Sequence, residues 1–412
     1  MENFKEIMSQ TKRKKIFIFS HFMEIGGAEK ALLGLLEKID LQQYEVDLFL
    51  LRHEGELMKC IPNGINILPE KEQYTMLARP ISEVIKKGHW LIAIARMIGK
   101  YAAILYDLVH KYDAKSEVAI EYSHKYTRFF MPKICKKKEY DLAISFLTPH
   151  YFVSEKVEAR KKIAWIHTDY SSIQIDLKSE YKMWKKYDNI ISISDMCTNA
   201  FVDIFPGLTD KIVLVENLIP LNTIKKQSEN SVEVMPEKED GEIALLSIGR
   251  FCEAKNFDNI PDICRRLRKC GCNVKWYIIG FGAGEKLIRK KIADSGMVQW
   301  VVLLGKKENP YPYIKWCDWY IQPSRFEGKA VTVQEAQILN KPVIITDYAT
   351  SKSQIRNGID GIIVPMDNST CASSIAKVIQ DGELKQFLVD NTVKLDYSGQ
   401  TSIKKIYKLL ED

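Results

Sequence analysis

The feature that most constrains the fold of this chain is an end-to-end alternation of short apolar runs with amphipathic helical stretches. A buried parallel strand reads as a brief apolar run, and the helix after it supplies the crossover to the next strand. The first run is Lys14 to Ser20. A Gly26-Gly27 turn follows, then residues 28–39, where Leu32, Leu35, Leu36 and Ile39 fall on one helical face. Further strands are expected at 45–51, 65–68, 141–147, 162–168, 189–194 and 211–217. Residues 222–242 are polar, with no long apolar run, and read as a linker or surface loop. A second series begins beyond them, with strands expected at 243–249, 274–280, 300–305, 319–324, 342–346 and 361–365. A chain of 412 residues is too long for one ordinary core. The fold class is therefore α/β, with two Rossmann-like doubly wound domains facing across a cleft. The expected domains are 1–218 and 219–397, with a C-terminal helix at about 398–412 packing back on the first. Ligands of such sheets bind outside the carboxyl ends of the strands, so the residues just after each strand carry most of the functional information.

Composition excludes several classes. Hydrophobic residues make up 46% and charged residues 27%, which suits a globular chain rather than a disordered one. No stretch of 18 uncharged apolar residues exists, so no spanning helix is expected. The charged start of the chain does not read as a signal peptide. The nine cysteines are scattered without a Cys-x-x-Cys pair, as expected of reduced thiols in a cytoplasmic protein. The net charge of +7 is concentrated: residues 71–138 hold fourteen Lys/Arg against six Asp/Glu. This stretch includes Lys86 and Lys87 beside Trp90, and a cluster at Lys133, Lys136, Lys137 and Lys138. It is read either as a solvated helical surface or as a patch for an anionic membrane, placing the chain peripherally on the inner face of the cell membrane. No nucleic-acid partner is expected.

The richest segment is 323–347. Glu327 and Glu335 flank Gly328, and Glu335 falls about one turn into a helix beginning near Ala330. The amides of Lys329, Ala330 and Val331 would point outward at that helix start and attract a diphosphate. The two carboxylates can accept hydrogen bonds from sugar and ribose hydroxyls. Upstream, Arg250 and Lys255 follow a strand and can converge on the same diphosphate. Gly280, Gly282 and Gly284 form a Gly-x-Gly-type loop, a weak signal alone. His167 sits just past a strand, where a lone histidine is more often structural than catalytic.

The spacing of Glu327 and Glu335 resembles the Glu–seven residues–Glu signature of glycosyltransferase family 4, retaining enzymes of GT-B fold that are common in capsule, lipopolysaccharide and exopolysaccharide synthesis. The resemblance implies that Glu327 contacts the donor sugar and Glu335 the nucleotide ribose. It makes His167, Arg250, Lys255 and Glu327 the candidate catalytic residues. It adds Gly26, Gly27, Gly249, Lys306, Gly328, Lys329, Ala330, Val331 and Glu335 as donor-binding positions. Lys329 stands where most members carry an aromatic residue or Leu, so donor-sugar specificity does not carry over. The implied reaction moves a hexosyl-type unit from a nucleoside diphosphate sugar, UDP-linked before GDP-linked, to a glycan or lipid-linked acceptor. No cofactor or metal is expected, because protein cations replace Mg²⁺ and no Asp-x-Asp motif is suitably placed. Two rivals remain: a noncatalytic sugar-nucleotide-binding protein, and an NAD-dependent oxidoreductase. The second leaves the Glu–seven–Glu spacing unexplained.

Overall fold

The computed structural model describes residues 13–113, 116–232, 234–327, 330–395, 397 and 399–411. The chain forms two compact units, Met1–Ile219 together with Gly399–Asp412, and Pro220–Ser398. Labelling only the helices used below, the first unit runs β1 (Lys14–Ser20), α1 (Gly27–Lys38), β2 (Tyr44–Leu50), β3 (Asn66–Ile67), α2 (Trp90–His110), α3 (Val118–Thr127), β4 (Tyr140–Ser145), β5 (Ala159–Ile166), α4 (Leu177–Trp184), β6 (Asn189–Ser192) and β7 (Ile212–Leu214). The second contains α5 (Leu221–Ser228), β8 (Ile243–Ile248), β9 (Val274–Ile279), β10 (Val301–Gly305), β11 (Trp319–Gln322), α6 (Val331–Ile338), β12 (Val343–Thr346) and β13 (Ile362–Val364). The last helix, α7 (Gln400–Glu411), returns to the first unit.

The first sheet is parallel, in the order β3-β2-β1-β4-β5-β6-β7. Successive side chains of a strand point to opposite faces, and β1 shows it directly. Phe17 and Phe19 enter one core, with Phe49, Phe152 and Trp184, while Ile16 and Ile18 enter the other. That second core takes Leu32, Leu35 and Leu36 of α1, with Ile403, Ile406, Leu409 and Leu410 of α7. Burying each such side chain contributes about 1.5–3 kcal/mol. Tyr407 adds a ring stack on Tyr44, with centroids 4.8 Å apart, and its hydroxyl accepts the Asp40 amide at 2.8 Å. The terminal helix is thus part of the first unit's core.

The second sheet is also parallel, ordered β10-β9-β8-β11-β12-β13. Its order reverses between β8 and β11, which makes the carboxyl ends of those two strands the natural ligand crevice of this unit. The residues expected to form a linker are helical over Leu221–Ser228, where Ile224 is fully buried. One apolar anchor on two turns is too little periodicity to be read from sequence. Several strands also stop short of the expected end: β5 at Ile166 and β11 at Gln322. The residues after them belong to loops.

Candidate functional site

In the second unit the carboxyl edge of the sheet gathers the charged candidates. Gly249 and Arg250 follow β8, and Arg250 is exposed. The loop after β9 lies against them. The Gly249 amide donates to Ile279 O at 3.0 Å and the Phe251 amide to Phe281 O at 2.8 Å. A Cβ on Gly280 would stand 1.9 Å from Gly249 O, so glycine is required there for the two loops to touch. Lys306 follows β10 and is exposed, its ammonium 5.5 Å from the centre of the Phe281 ring.

Across the β8–β11 switch point, Lys255 and Glu327 meet. Lys255 Nζ lies 2.5 Å from Glu327 Oε1. The same oxygen accepts Ser324 Oγ at 2.6 Å and Gln322 Nε2 at 3.3 Å. Thr350 Oγ1 holds the Glu327 carbonyl at 2.7 Å. With the two side chains only 20% and 10% exposed, the pair is far less screened than a surface ion pair. Lys255 is therefore a partner of Glu327 here, not the independent cation expected from its spacing to Arg250.

Glu335 sits on α6 with no exposed surface and accepts Tyr311 OH at 3.0 Å. The helix start departs from expectation. The Ala330 amide, expected to face a ligand, donates to Gln354 Oε1 at 2.7 Å, and Gln354 Nε2 donates back to Ala330 O at 3.3 Å. Ala330 is 3% exposed, so one side chain already satisfies that donor. Val331 is the first residue of the helix. Gly328 and Lys329 lie outside the described residues.

The first unit presents its own carboxyl edge. Gly26 caps α1 and Gly27 begins it, with the Lys30 amide donating to Gly26 O at 3.1 Å. His21, after β1, donates from Nε2 to the Thr148 carbonyl. His167, after β5, lies against Phe146 with ring centroids 4.6 Å apart. Beside it is a cavity of about 170 Å³, lined also by Glu121, His124, His150, Trp165, Glu180 and Trp184. Burial pulls the imidazoles of His21 and His167 down to about 4 and those of His124 and His150 to about 3. All four are uncharged at neutral pH. Burial pushes the Glu180 carboxyl up to about 7, although Tyr170 OH and Trp184 Nε1 donate to it at 2.9 and 2.8 Å. Glu121 is raised by burial as well, and accepts Tyr151 OH and Ser179 Oγ on Oε1. Glu121 Oε2, His124 Nδ1, Trp165 Nε1 and His167 Nε2 are buried without a hydrogen-bond partner among the described residues. Such groups ordinarily find one. The cavity therefore offers donors and acceptors to a polar guest.

The structure thus brings Arg250, Lys255, Lys306 and Glu327 to one edge of the second sheet, and Gly26, Gly27 and His167 to one edge of the first. Sequence reasoning missed the residues that hold them: Gln322, Ser324 and Gln354 around the helix start, and Glu121, His124, Trp165 and Glu180 around the cavity. The run Gln322-Pro323-Ser324 at a strand end was the available signal for the first group. The second comes from helices α3 and α4 and from β5, far apart in sequence, and carried none. Among the described residues no cluster of His, Cys, Asp and Glu could hold a metal ion, and no helix is long and apolar enough to cross a membrane.

Residues 230–394, lying wholly within the second unit, match the family of glycosyl transferases group 1. The chain is 28% identical over 178 residues to an uncharacterized glycosyltransferase of Methanocaldococcus jannaschii, covering 42% of this chain and 44% of that one. It is 23% identical over 206 residues to an N-acetylgalactosamine-N,N'-diacetylbacillosaminyl-diphospho-undecaprenol 4-alpha-N-acetylgalactosaminyltransferase of Campylobacter jejuni, covering 50% and 54%. The matches thus span about half the length of these relatives. The fold extends over nearly the whole chain. Anabaena HepE in complex with UDP and glucose superposes with a TM-score of 0.61 at 14% identity, covering 97% of this chain and all of that one. A TarM variant from S. aureus, in complex with fondaparinux, α-GlcNAc-glycerol and UDP, gives 0.63 at 14% identity with the same coverage. The chain has the GT-B fold.

Proposed function

We propose that this chain is a retaining glycosyltransferase that moves a hexosyl unit from a nucleoside diphosphate sugar, with UDP favoured over GDP, to an acceptor hydroxyl. The observation that carries the reading is the Lys255–Glu327 pair at the switch point of the second sheet, on the same carboxyl edge as Arg250 and Lys306, inside the segment that matches glycosyl transferases group 1. Cations and a hydrogen-bonding carboxylate at the carboxyl ends of parallel strands suit a diphosphate with a sugar attached. Glu327 Oε1 is saturated by three donors, which leaves Oε2 for a sugar hydroxyl. Glu335 would take the ribose end. In the reaction the bond from the anomeric carbon to the diphosphate oxygen breaks and its electron pair stays on the diphosphate. The acceptor oxygen bonds to the same face of that carbon, and its proton passes to the departing oxygen. Arg250 and Lys255 stabilise the charge that develops there.

The acceptor is read from the first unit. Its cavity has uncharged imidazoles, an indole N–H and carboxyls raised by burial, with aromatic walls. These groups suit the hydroxyls and C–H faces of a neutral sugar better than a phosphate. A glycan or lipid-linked intermediate of bacterial surface polysaccharide synthesis fits. The Campylobacter relative has an acceptor carried on diphospho-undecaprenol, and the fold-mates HepE and TarM were captured with UDP. The test is incubation with a panel of UDP- and GDP-sugars and an assay for released nucleoside diphosphate. Release from a UDP-sugar, stimulated by a saccharide acceptor, is expected without added metal. Thermal stabilisation by nucleotide with no turnover under any donor would instead make the chain a binding protein.

A further inference from the structure

Helix α2 is built inside out. In an ordinary surface helix the large apolar residues face the core. Here the buried positions are Ile92, Ala93, Ala95, Gly99 and Ala103, mostly small. Gly99 lies so near α3 that a Cβ on it would stand 2.9 Å from Tyr122 O. The large side chains point outward: Trp90, Ile94, Ile98, Tyr101, Leu105 and Leu108 are all exposed, Leu105 by 64% and Leu108 by 70%. Their spacings of four, four, three, four and three residues place them on one side of the helix. A helix of 21 residues makes that strip about 31 Å long. Phe129 and Phe130 of the same unit are exposed as well. Monomeric proteins rarely leave so large a contiguous apolar surface uncovered without a use for it.

Charge indicates what covers it. Between Lys86 and Lys111 the chain has five Lys/Arg and one acidic residue, Asp107. Lys86, Lys87, Lys100 and Lys111 are exposed, while Asp107 accepts Ser116 Oγ at 2.7 Å. A second copy of this chain docking through the same surface would set like charges against each other. An anionic bilayer complements both the apolar strip and its basic rim. We infer that α2 is an interfacial helix that docks the chain on an anionic lipid surface, with Trp90, Leu105 and Leu108 entering the acyl boundary and the lysines meeting the headgroups. This narrows the membrane contact suggested by the sequence for residues 71–138 to α2 and its neighbouring lysines. In the 133–138 cluster, Lys133 is bound to Glu158, and Lys138 to Glu45 and Asp47.

Co-sedimentation with vesicles tests this without any donor or acceptor, so its outcome is separate from that of the transferase reading. The full chain is spun with phosphatidylcholine vesicles and with vesicles containing phosphatidylglycerol, at low and high salt. Binding to the anionic vesicles is expected to exceed binding to neutral ones by roughly tenfold and to weaken with salt. The Leu105→Glu/Leu108→Glu variant changes only exposed positions and should melt as the parent does. It should lose vesicle binding by roughly tenfold or more. Lys136→Ser/Lys137→Ser should bind as the parent. Equal sedimentation with both vesicle types, or retained binding by the Leu variant, overturns the inference. So does light scattering that shows a dimer which the Leu variant dissolves, because the surface then belongs to a second copy.

Discussion

At the scale of single residues, Lys255 and Glu327 act as one group. Removing either leaves the other partly buried without its counter-charge, a loss that costs more than a surface pair is worth. Lys255→Ala and Glu327→Ala should each cut turnover at least about 100-fold, in line with the roughly 2.7–4 kcal/mol lost when one stabilising contact to a developing anion is removed. The double variant should be little worse than the poorer single one, because neighbours that share a contact are not additive. Independent, multiplying losses would show that the pair is not the functional unit. Arg250 is exposed and stands outside the pair, so Arg250→Ala should lower turnover without disturbing the Lys255–Glu327 contact. The sequence made Glu327, Arg250 and Lys255 legible because each follows a strand at a recognisable spacing. It could not show that Lys255 turns to Glu327, since that contact spans 72 positions and depends on β8 and β11 being neighbours.

At the scale of elements, the two glutamates of the second unit are held by different parts of the fold. Glu335 is fixed inside the helix by Tyr311, whereas Glu327 is held by loop and strand-end donors. Glu335→Ala should weaken UDP affinity by roughly tenfold and lower stability, since it removes a buried acceptor of the Tyr311 hydroxyl, a loss of about 1–3 kcal/mol. Glu327→Ala should leave UDP affinity nearly unchanged. Calorimetry with UDP alone checks both, and the reverse order would exchange the two roles. The strands were legible because each is a continuous apolar run bounded by turn residues. The helix Leu221–Ser228 was not, having one buried apolar residue, and neither was the clamp of Gln354 on Ala330, which links residues 24 apart. The cavity of the first unit escaped for the same reason. Glu121 and His124 lie on α3, and only the meeting of α3, α4 and β5 around one cavity turns them into a site.

At the scale of the whole molecule, the two units should respond differently to acid. All seven histidines lie before residue 168, hence in the first unit. Four of them are held neutral by burial, at about 3 to 4 against the usual 6.5. An imidazole kept neutral in the folded state takes up its proton on unfolding, so stability falls as pH drops below 6.5 toward those values. For His150, only 6% exposed, the loss between pH 7 and pH 5 is about 2 kcal/mol. Glu180 works the other way. With its carboxyl raised to about 7 from 4.5, the folded state binds the proton first. Its contribution is therefore full below 4.5 and lost as pH rises through 7, which offsets roughly one histidine over the same interval. The first unit should therefore lose stability from pH 7 to pH 5. The second unit has no histidine. Its Asp262 is held down to about 2 by Arg265, Arg266 and Asn368 against the cost of burial, so that contribution is lost only as pH falls below 3.8 toward 2. Urea unfolding followed by peptide-resolved hydrogen exchange at pH 7 and pH 5 should show β1–β7 losing protection at lower urea in acid while β8–β13 hold theirs. Glu180→Gln, which removes the offset, should steepen the acid loss of the first unit. If the second sheet weakens first, or neither does, the buried histidines are not what sets the acid stability of this protein.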